Sequence, residues 1–175
     1  MHVLFVCTGN ICRSPMAERL AAAAGAQLEL SGLQVSSAGT RAVISHPIHE
    51  HAAQVLNRLG GDTADFAARQ LTPKIASNAD LVLTMTRFHR DRVLELAPRQ
   101  LRRTFTLTEA AQLVSIFNPH AVADLADLRP QLVAEQAPDV QDPIGQSPEV
   151  FAKVGQQIAD LLPPIIKLCR SASIG

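Results

Sequence analysis

Short, unbroken apolar runs alternate along this chain with longer stretches whose apolar positions recur every three or four residues. Residues 3–6 form such a run, closed by a glycine-containing turn, and read as a strand buried on both faces. Behind it, Ser14 supplies a hydroxyl N-cap and Pro15 a first helical residue, so a helix is predicted from there through Glu18 to about Ala24. Residues 33–37 read as a second strand, and 48–59 as an amphipathic helix stopped by Gly60 and Gly61. Residues 80–84 are the next buried strand, and 87–96 a helix that ends before Pro98. A fourth short strand spans 103–107, with a helix from 108 to about 114. Pro119, Pro130 and Pro138 interrupt the stretch 118–141, of which only 121–136 has partly helical character. The last helix runs from Ser147 to about Leu162, opened by Ser147, Pro148 and Glu149.

Strands and helices thus alternate with short links, which predicts an α/β fold: a parallel sheet with helices on both faces and right-handed crossovers. At 175 residues the chain has the size of a single domain, 1–175, large enough to bury its own core. Sixteen basic and sixteen acidic side chains give zero net charge, which argues against a nucleic-acid partner. Six Phe and no Trp or Tyr leave little from which to build base-stacking platforms. Three cysteines, Cys7, Cys12 and Cys169, are a poor disulfide framework and fit a reducing compartment. No secretory leader opens the sequence, and no apolar run approaches the ~20 residues of a membrane span. The expectation is a cytoplasmic domain with no membrane partner.

The first strand runs into Cys7-Thr-Gly-Asn-Ile-Cys-Arg13, and the carboxyl ends of strands are where open α/β sheets bind ligands. Five residues between Cys7 and Arg13, namely Thr8, Gly9, Asn10, Ile11 and Cys12, can curl so that successive N–H groups point inward around an oxyanion. The helix that begins near Ser14 adds its positive end at the same point. Gly9 gives the backbone freedom and Asn10 tolerates left-handed geometry. Arg13 presents a planar fork suited to two phosphate oxygens. The same positive field favours a Cys7 thiolate, the form that attacks phosphorus. Cys-x5-Arg alone is weak; strand, glycine, asparagine, Arg-Ser and helix start in one place are not.

The run Val3-Leu-Phe-Val-Cys-Thr-Gly-Asn-Ile-Cys-Arg-Ser-Pro-Met-Ala-Glu18 resembles the signature of the low-molecular-weight protein tyrosine phosphatases. The resemblance recurs at Ser37-Ala-Gly-Thr40, Ala68-Arg-Gln70, Asp80-Leu-Val-Leu-Thr-Met85 and Asp142-Pro143, and fails in 118–141, which is longer than usual. It implies a four-stranded parallel sheet in the flavodoxin-like order and a cysteine-dependent phosphomonoester hydrolase, foremost a protein-tyrosine-phosphatase. Cys7 then takes the nucleophile's place and Arg13 that of the phosphate clamp. Asn10 corresponds to the residue that holds the loop in shape, Ser14 to the serine that stabilises the thiolate, and Ser37 to a second serine bonded to that asparagine. The family often has a histidine two residues before Ala-Arg-Gln; Phe66 stands there, leaving the supporting network one partner short.

A phosphomonoester's oxygen leaves well only if it is protonated, so the site needs an acid. Asp142 before Pro143 is similar to the family's acid dipeptide, and the proline restricts Asp142 to extended geometry; Asp139 is the competing candidate. The expected course is attack by Cys7, protonation of the leaving oxygen by Asp142, and hydrolysis of the cysteinyl-phosphate by water with Asp142 as base. It calls for no metal and no cofactor. Cys12 is either a small apolar filler or, as the resemblance implies, a partner for Cys7 in a reversible disulfide. Two rival readings share the loop. An arsenate reductase would need further relay cysteines, where only Cys169 is available, and a phosphoprotein-binding module would be expected to have lost part of the catalytic set. His46, His49 and His51 read as surface or capping histidines, and Arg102-Arg103 as a solvated strand end. Where the family carries aromatic pocket walls, this chain has Val43 and Ile144-Gly145, and only Phe88 or Phe117 could fold over the mouth instead. The expected substrate is a phosphotyrosine protein or a small phosphomonoester, with weak discrimination between them.

Overall fold

In the computed structural model, which describes residues 1–171, β1 (His2–Cys7) lies between β2 (Gln34–Gly39) and β3 (Leu81–Thr84). β4 (Thr104–Thr106) lies outside β3, every pairing is parallel, and the order β2-β1-β3-β4 is the flavodoxin-like one. From Val3 onward β1 is apolar without a break because it is covered twice. Val3 and Phe5 face one layer of core together with Leu81, Leu83 and Phe105; Leu4 and Val6 face the other with Val82 and Val93. The period of two along a strand divides one apolar run between two cores.

The first layer is covered by α1 (Arg13–Gln27), α2 (Glu50–Arg58), α5 (Leu107–Phe117) and α7 (Pro148–Ser171), the second by α3 (Pro73–Ser77) and α4 (Arg87–Leu96). α5 opens with a capping box between Thr106 and Glu109. α3 was not predicted; Thr72 caps it by accepting from the Ile75 N–H, but five residues are too few to show a period. The stretch after α5 is a chain of three-residue 3₁₀ turns around the single turn α6 (Leu125–Leu128), pinned by buried Val122, Leu125, Ala137 and Val140. Arg129 ties it down: its guanidinium donates to Glu109 Oε1 at 2.7 Å and to the Thr104 carbonyl, and lies 4.0 Å from the Phe105 ring centre. No helix among the described residues is long and apolar enough to cross a membrane.

Two expectations fail in detail. α1 starts at Arg13 with Cys12 as N-cap, so Pro15 is its third residue and Ser14 does not cap it. The Ser14 hydroxyl is engaged elsewhere, as described below. α7 does not stop at Leu162 but continues through Pro163 and Pro164 to Ser171. Interior prolines cost roughly 3 kcal/mol each. Ile165, Ile166, Leu168 and Cys169 beyond them are all buried, and large apolar side chains contribute about 1.5–3 kcal/mol apiece. Packing therefore overrides the local rule.

α7 lies close against α1 and α2 at Gly155, where a Cβ would sit 2.3 Å from Val55 Cγ1 and 3.5 Å from Met16 Sδ. Replacing a helix glycine by alanine gains up to ~1 kcal/mol of helix propensity, whereas overpacking costs about 1–3 kcal/mol. Gly155→Ala is expected to lower stability in urea by about 1–2 kcal/mol, and Val55→Ala in the same chain to recover part of that loss. A more stable single variant would show that Val55 turns aside freely.

Candidate active site

Cys7 ends β1, and the chain then curls to Arg13 at the head of α1. Four carbonyls of the curl are engaged on its outer side. Those of Cys7, Thr8, Gly9 and Ile11 accept from the N–H groups of Thr40, Arg41, Val43 and His49 at 2.7–3.0 Å. No peptide in the described chain is cis. In a planar trans peptide the C=O and the following N–H point in opposite directions, so the N–H groups of Thr8, Gly9, Asn10 and Cys12 face the concave side. Gly39 permits this stitching, since a Cβ there would lie 2.5 Å from the Thr8 carbonyl oxygen.

Asn10 has φ 55°, the left-handed geometry expected of it. Its buried amide donates to Ser14 Oγ at 2.9 Å and to Ser37 Oγ at 2.8 Å, and its Oδ1 accepts from the Arg69 N–H at 2.9 Å. Ser14 Oγ is 3.0 Å from Cys7 Sγ. Having accepted from Asn10, Ser14 keeps its hydroxyl hydrogen available to the sulfur. Ser37 donates in turn to Glu18 Oε2 at 2.5 Å. The supporting network is thus complete without the histidine that Phe66 replaces: Glu18 and the Arg69 backbone serve it, and the Arg19 guanidinium covers the Phe66 ring at 5.6 Å.

Arg13 is buried and donates to the Val140 carbonyl at 3.0 Å and to Asp142 Oδ2 at 2.6 Å. The segment carrying Asp142 is delivered by the Val140 N–H, which donates to the Met85 carbonyl at the end of β3. Asp142, 48% exposed, shares with Cys7 and Arg13 a cleft of about 300 Å³. Asp139 is turned away from this cleft; its Oδ1 accepts from the Arg87 N–H at the start of α4. Ile11, Val43 and Ile144 form the cleft's apolar walls. Neither Phe88 nor Phe117 joins them: Phe88 is exposed with its ring edge-on to His89, and Phe117 packs against the core. Burial, reinforced by the charge of Cys7, pushes the Cys12 thiol up, so Cys12 stays protonated beside Cys7. Cys169 is sealed in the core along α7. His49 caps α2, accepting from the His51 N–H, and its ring stacks on Phe151 at 4.9 Å.

Sequence reasoning missed His89. Its Nε2 is 2.8 Å from Thr8 Oγ1 and its Nδ1 2.9 Å from Thr86 Oγ1, so it ties the Cys7–Arg13 curl to the head of α4. Burial, and after it the charge of Arg13, lowers its pKa from 6.5 to about 4. It is therefore a neutral imidazole, with one nitrogen donating and the other accepting. A lone histidine in an amphipathic helix gave no signal of this.

A family model described as low molecular weight phosphotyrosine protein phosphatase matches residues 2–120. The chain is 36% identical over 118 residues to the low molecular weight protein-tyrosine-phosphatase Etp of Escherichia coli K12, covering 67% of this chain and 76% of Etp. It is 32% identical over 161 residues to a protein-arginine-phosphatase of Geobacillus stearothermophilus, covering 92% of this chain and 90% of that protein. Among solved structures, a low molecular weight protein tyrosine phosphatase from T. tengcongensis superposes with a TM-score of 0.77 at 32% identity, covering 95% and 98% of the two chains.

The depressed His89 pKa carries a stability signature. Between about pH 6.5 and 4 the unfolded chain binds a proton that the folded chain refuses, so His89's contribution is present above pH 6.5 and is lost as pH falls towards 4. Urea titrations of the parent are expected to show an acid limb steeper than that of His89→Asn by up to one proton, or about 1.4 kcal/mol per pH unit. Equal slopes would mean that His89 titrates normally.

Proposed function

The chain belongs to the low molecular weight phosphotyrosine protein phosphatase family, and we propose that it hydrolyses phosphomonoesters, protein phosphotyrosine foremost, through a cysteinyl-phosphate on Cys7. The observation that carries this is the convergence of Cys7, Arg13 and Asp142 on one cleft whose floor is a ring of inward N–H groups. The dianionic phosphate sits among those N–H groups and takes the Arg13 fork. The Cys7 thiolate, with Ser14 as hydrogen-bond donor, attacks phosphorus in line. As the P–O bond breaks, its electron pair leaves on the ester oxygen, which takes a proton from Asp142. Water then attacks phosphorus, Asp142 accepts its proton, and the P–S bond breaks to return thiolate and inorganic phosphate. Asp142 Oδ1 accepts from the Ile144 N–H at 3.2 Å, a turn that orients the carboxyl over the mouth. A thiol nucleophile works in a reducing compartment, and we place this single catalytic domain in the cytoplasm. Arsenate reduction is disfavoured because Cys169 is buried away from the cleft.

A second reading has one observation in its favour. A relative matched over 92% of this chain is named a protein-arginine-phosphatase, and the cleft's walls are aliphatic. Phosphoarginine therefore belongs in any substrate comparison.

Cys7→Ser is expected to abolish turnover of p-nitrophenyl phosphate while tungstate still binds, because the cradle is backbone. Appreciable turnover by that variant would remove Cys7 as the nucleophile. Asp142→Ala should cost about 10²–10⁴-fold on phenyl phosphate, the usual worth of general acid catalysis, and less on p-nitrophenyl phosphate. Equal losses on the two esters would show that Asp142 is not the proton donor.

The walls set a second expectation. A well-placed aromatic pair adds about 0.5–1.5 kcal/mol beyond area burial, and Val43 and Ile144 supply none. Matched phosphotyrosine, phosphoserine and phosphoarginine peptides should differ in kcat/KM by far less than a thousandfold. A larger preference for phosphotyrosine would require an aromatic wall from another residue.

A further inference from the structure

The mouth of the cleft carries a cation that the reaction above does not use. Arg41 lines it beside Val43 and Ile144, and its side chain is exposed. Its backbone is held firmly. The Arg41 N–H donates to the Thr8 carbonyl at 3.0 Å, between the Thr40-to-Cys7 and Val43-to-Gly9 bonds at 2.9 Å each. The Gln70 side chain fixes the same turn from behind, accepting from the Ala42 N–H at 2.9 Å and donating to the Thr40 carbonyl at 3.0 Å. Other arginines meet carboxylates: Arg92 pairs with Glu95, Arg102 with Asp127 and Arg129 with Glu109. Among the described residues Arg41 is paired with none. The one carboxylate lining the cleft, Asp142, is held by Arg13.

We infer that Arg41 is a specificity-determining residue that selects substrates bearing a second negative charge beside the scissile phosphate. This rests on reading the cleft as a phosphatase site. Once a phosphate occupies the loop, Arg13 is committed to it, and Arg41 is the cation left at the rim. Its planar fork suits a carboxylate, which it can take through two parallel hydrogen bonds. That carboxylate belongs either to an acidic residue next to the phosphorylated one in a peptide or to a small phosphomonoester that is itself an acid. A cationic group in the same place is repelled. The rim is solvated, so the effect is that of an exposed ion pair, up to about fivefold per pair, and salt weakens it because charges there are screened over about 8 Å at physiological ionic strength.

The test uses the full chain and a set of phosphotyrosine peptides identical except for Asp, Asn or Lys beside the phosphotyrosine, together with phenyl phosphate and 4-carboxyphenyl phosphate. The readout is the ratio of kcat/KM within each set. The parent should favour Asp over Lys by about three- to tenfold at low salt, and the ratio should shrink in 0.5 M NaCl. Arg41→Ala should bring the ratio close to one, and Arg41→Glu should invert it. A preference confined to the peptides identifies an acidic phosphopeptide as the substrate class; one confined to the carboxyphenyl ester identifies a small acidic phosphomonoester. Turnover of every substrate with ratios that Arg41→Glu does not change overturns the inference and leaves the phosphatase reading standing. No turnover of any substrate overturns both.

Discussion

The planarity of the peptide group organises this site. Four carbonyls of the Cys7–Arg13 curl are drawn outward by N–H donors of the turn after β2 and of the α2 cap, which leaves the opposite edges of those peptides facing in. A cradle of inward N–H groups made this way owes little to the side chains of the curl. It depends instead on what lies outside it: a glycine at position 39 that lets two backbones approach, a Gln70 side chain that fixes the turn, and an asparagine in a left-handed conformation that three partners hold in place. The strand that presents the curl is buried on both faces, so its end has little freedom to shift.

Around this frame the charged groups are arranged by what is kept out of water. Arg13 is buried and would be costly alone; a carbonyl and a half-exposed carboxylate satisfy it. His89 and Cys12 are held neutral by burial, in the neighbourhood of Arg13 and Asp142. Packing therefore does most to set the protonation states of these two side chains.

Much of this was legible in the sequence where the signal is local. β1, the curl, Asn10 and Arg13 lie within a dozen residues, so their signals coincide in one place; the order of strands and helices gave the sheet. Three features were not legible. Ser14 looked like a helix cap because Ser-Pro commonly is one, but a hydrogen bond from Asn10 and a contact with Cys7 claim its hydroxyl. Pro163-Pro164 looked like a helix end because the cost of proline is local while the gain from Ile165, Ile166 and Leu168 is tertiary. Glu18 and His89 act across gaps of 19 and 81 residues, to Ser37 and to Thr8, and no periodicity reports such a contact.

Those sequence separations have a consequence of their own. The bonds that complete the curl reach from Asn10 to Arg69, from Thr8 to His89, and from Arg13 to Val140 and Asp142, spanning 59, 81, 127 and 129 residues. Contacts this distant form late, because long loops must close before they are rewarded. During synthesis Arg13 precedes its partners Val140 and Asp142 by most of the chain's length. Cys7 is thus made early, but the loop around it reaches its final geometry only when the sheet has closed and the segment after α6 has docked. An unfinished chain carries Cys7 but lacks the residues that fix Arg13 beside it.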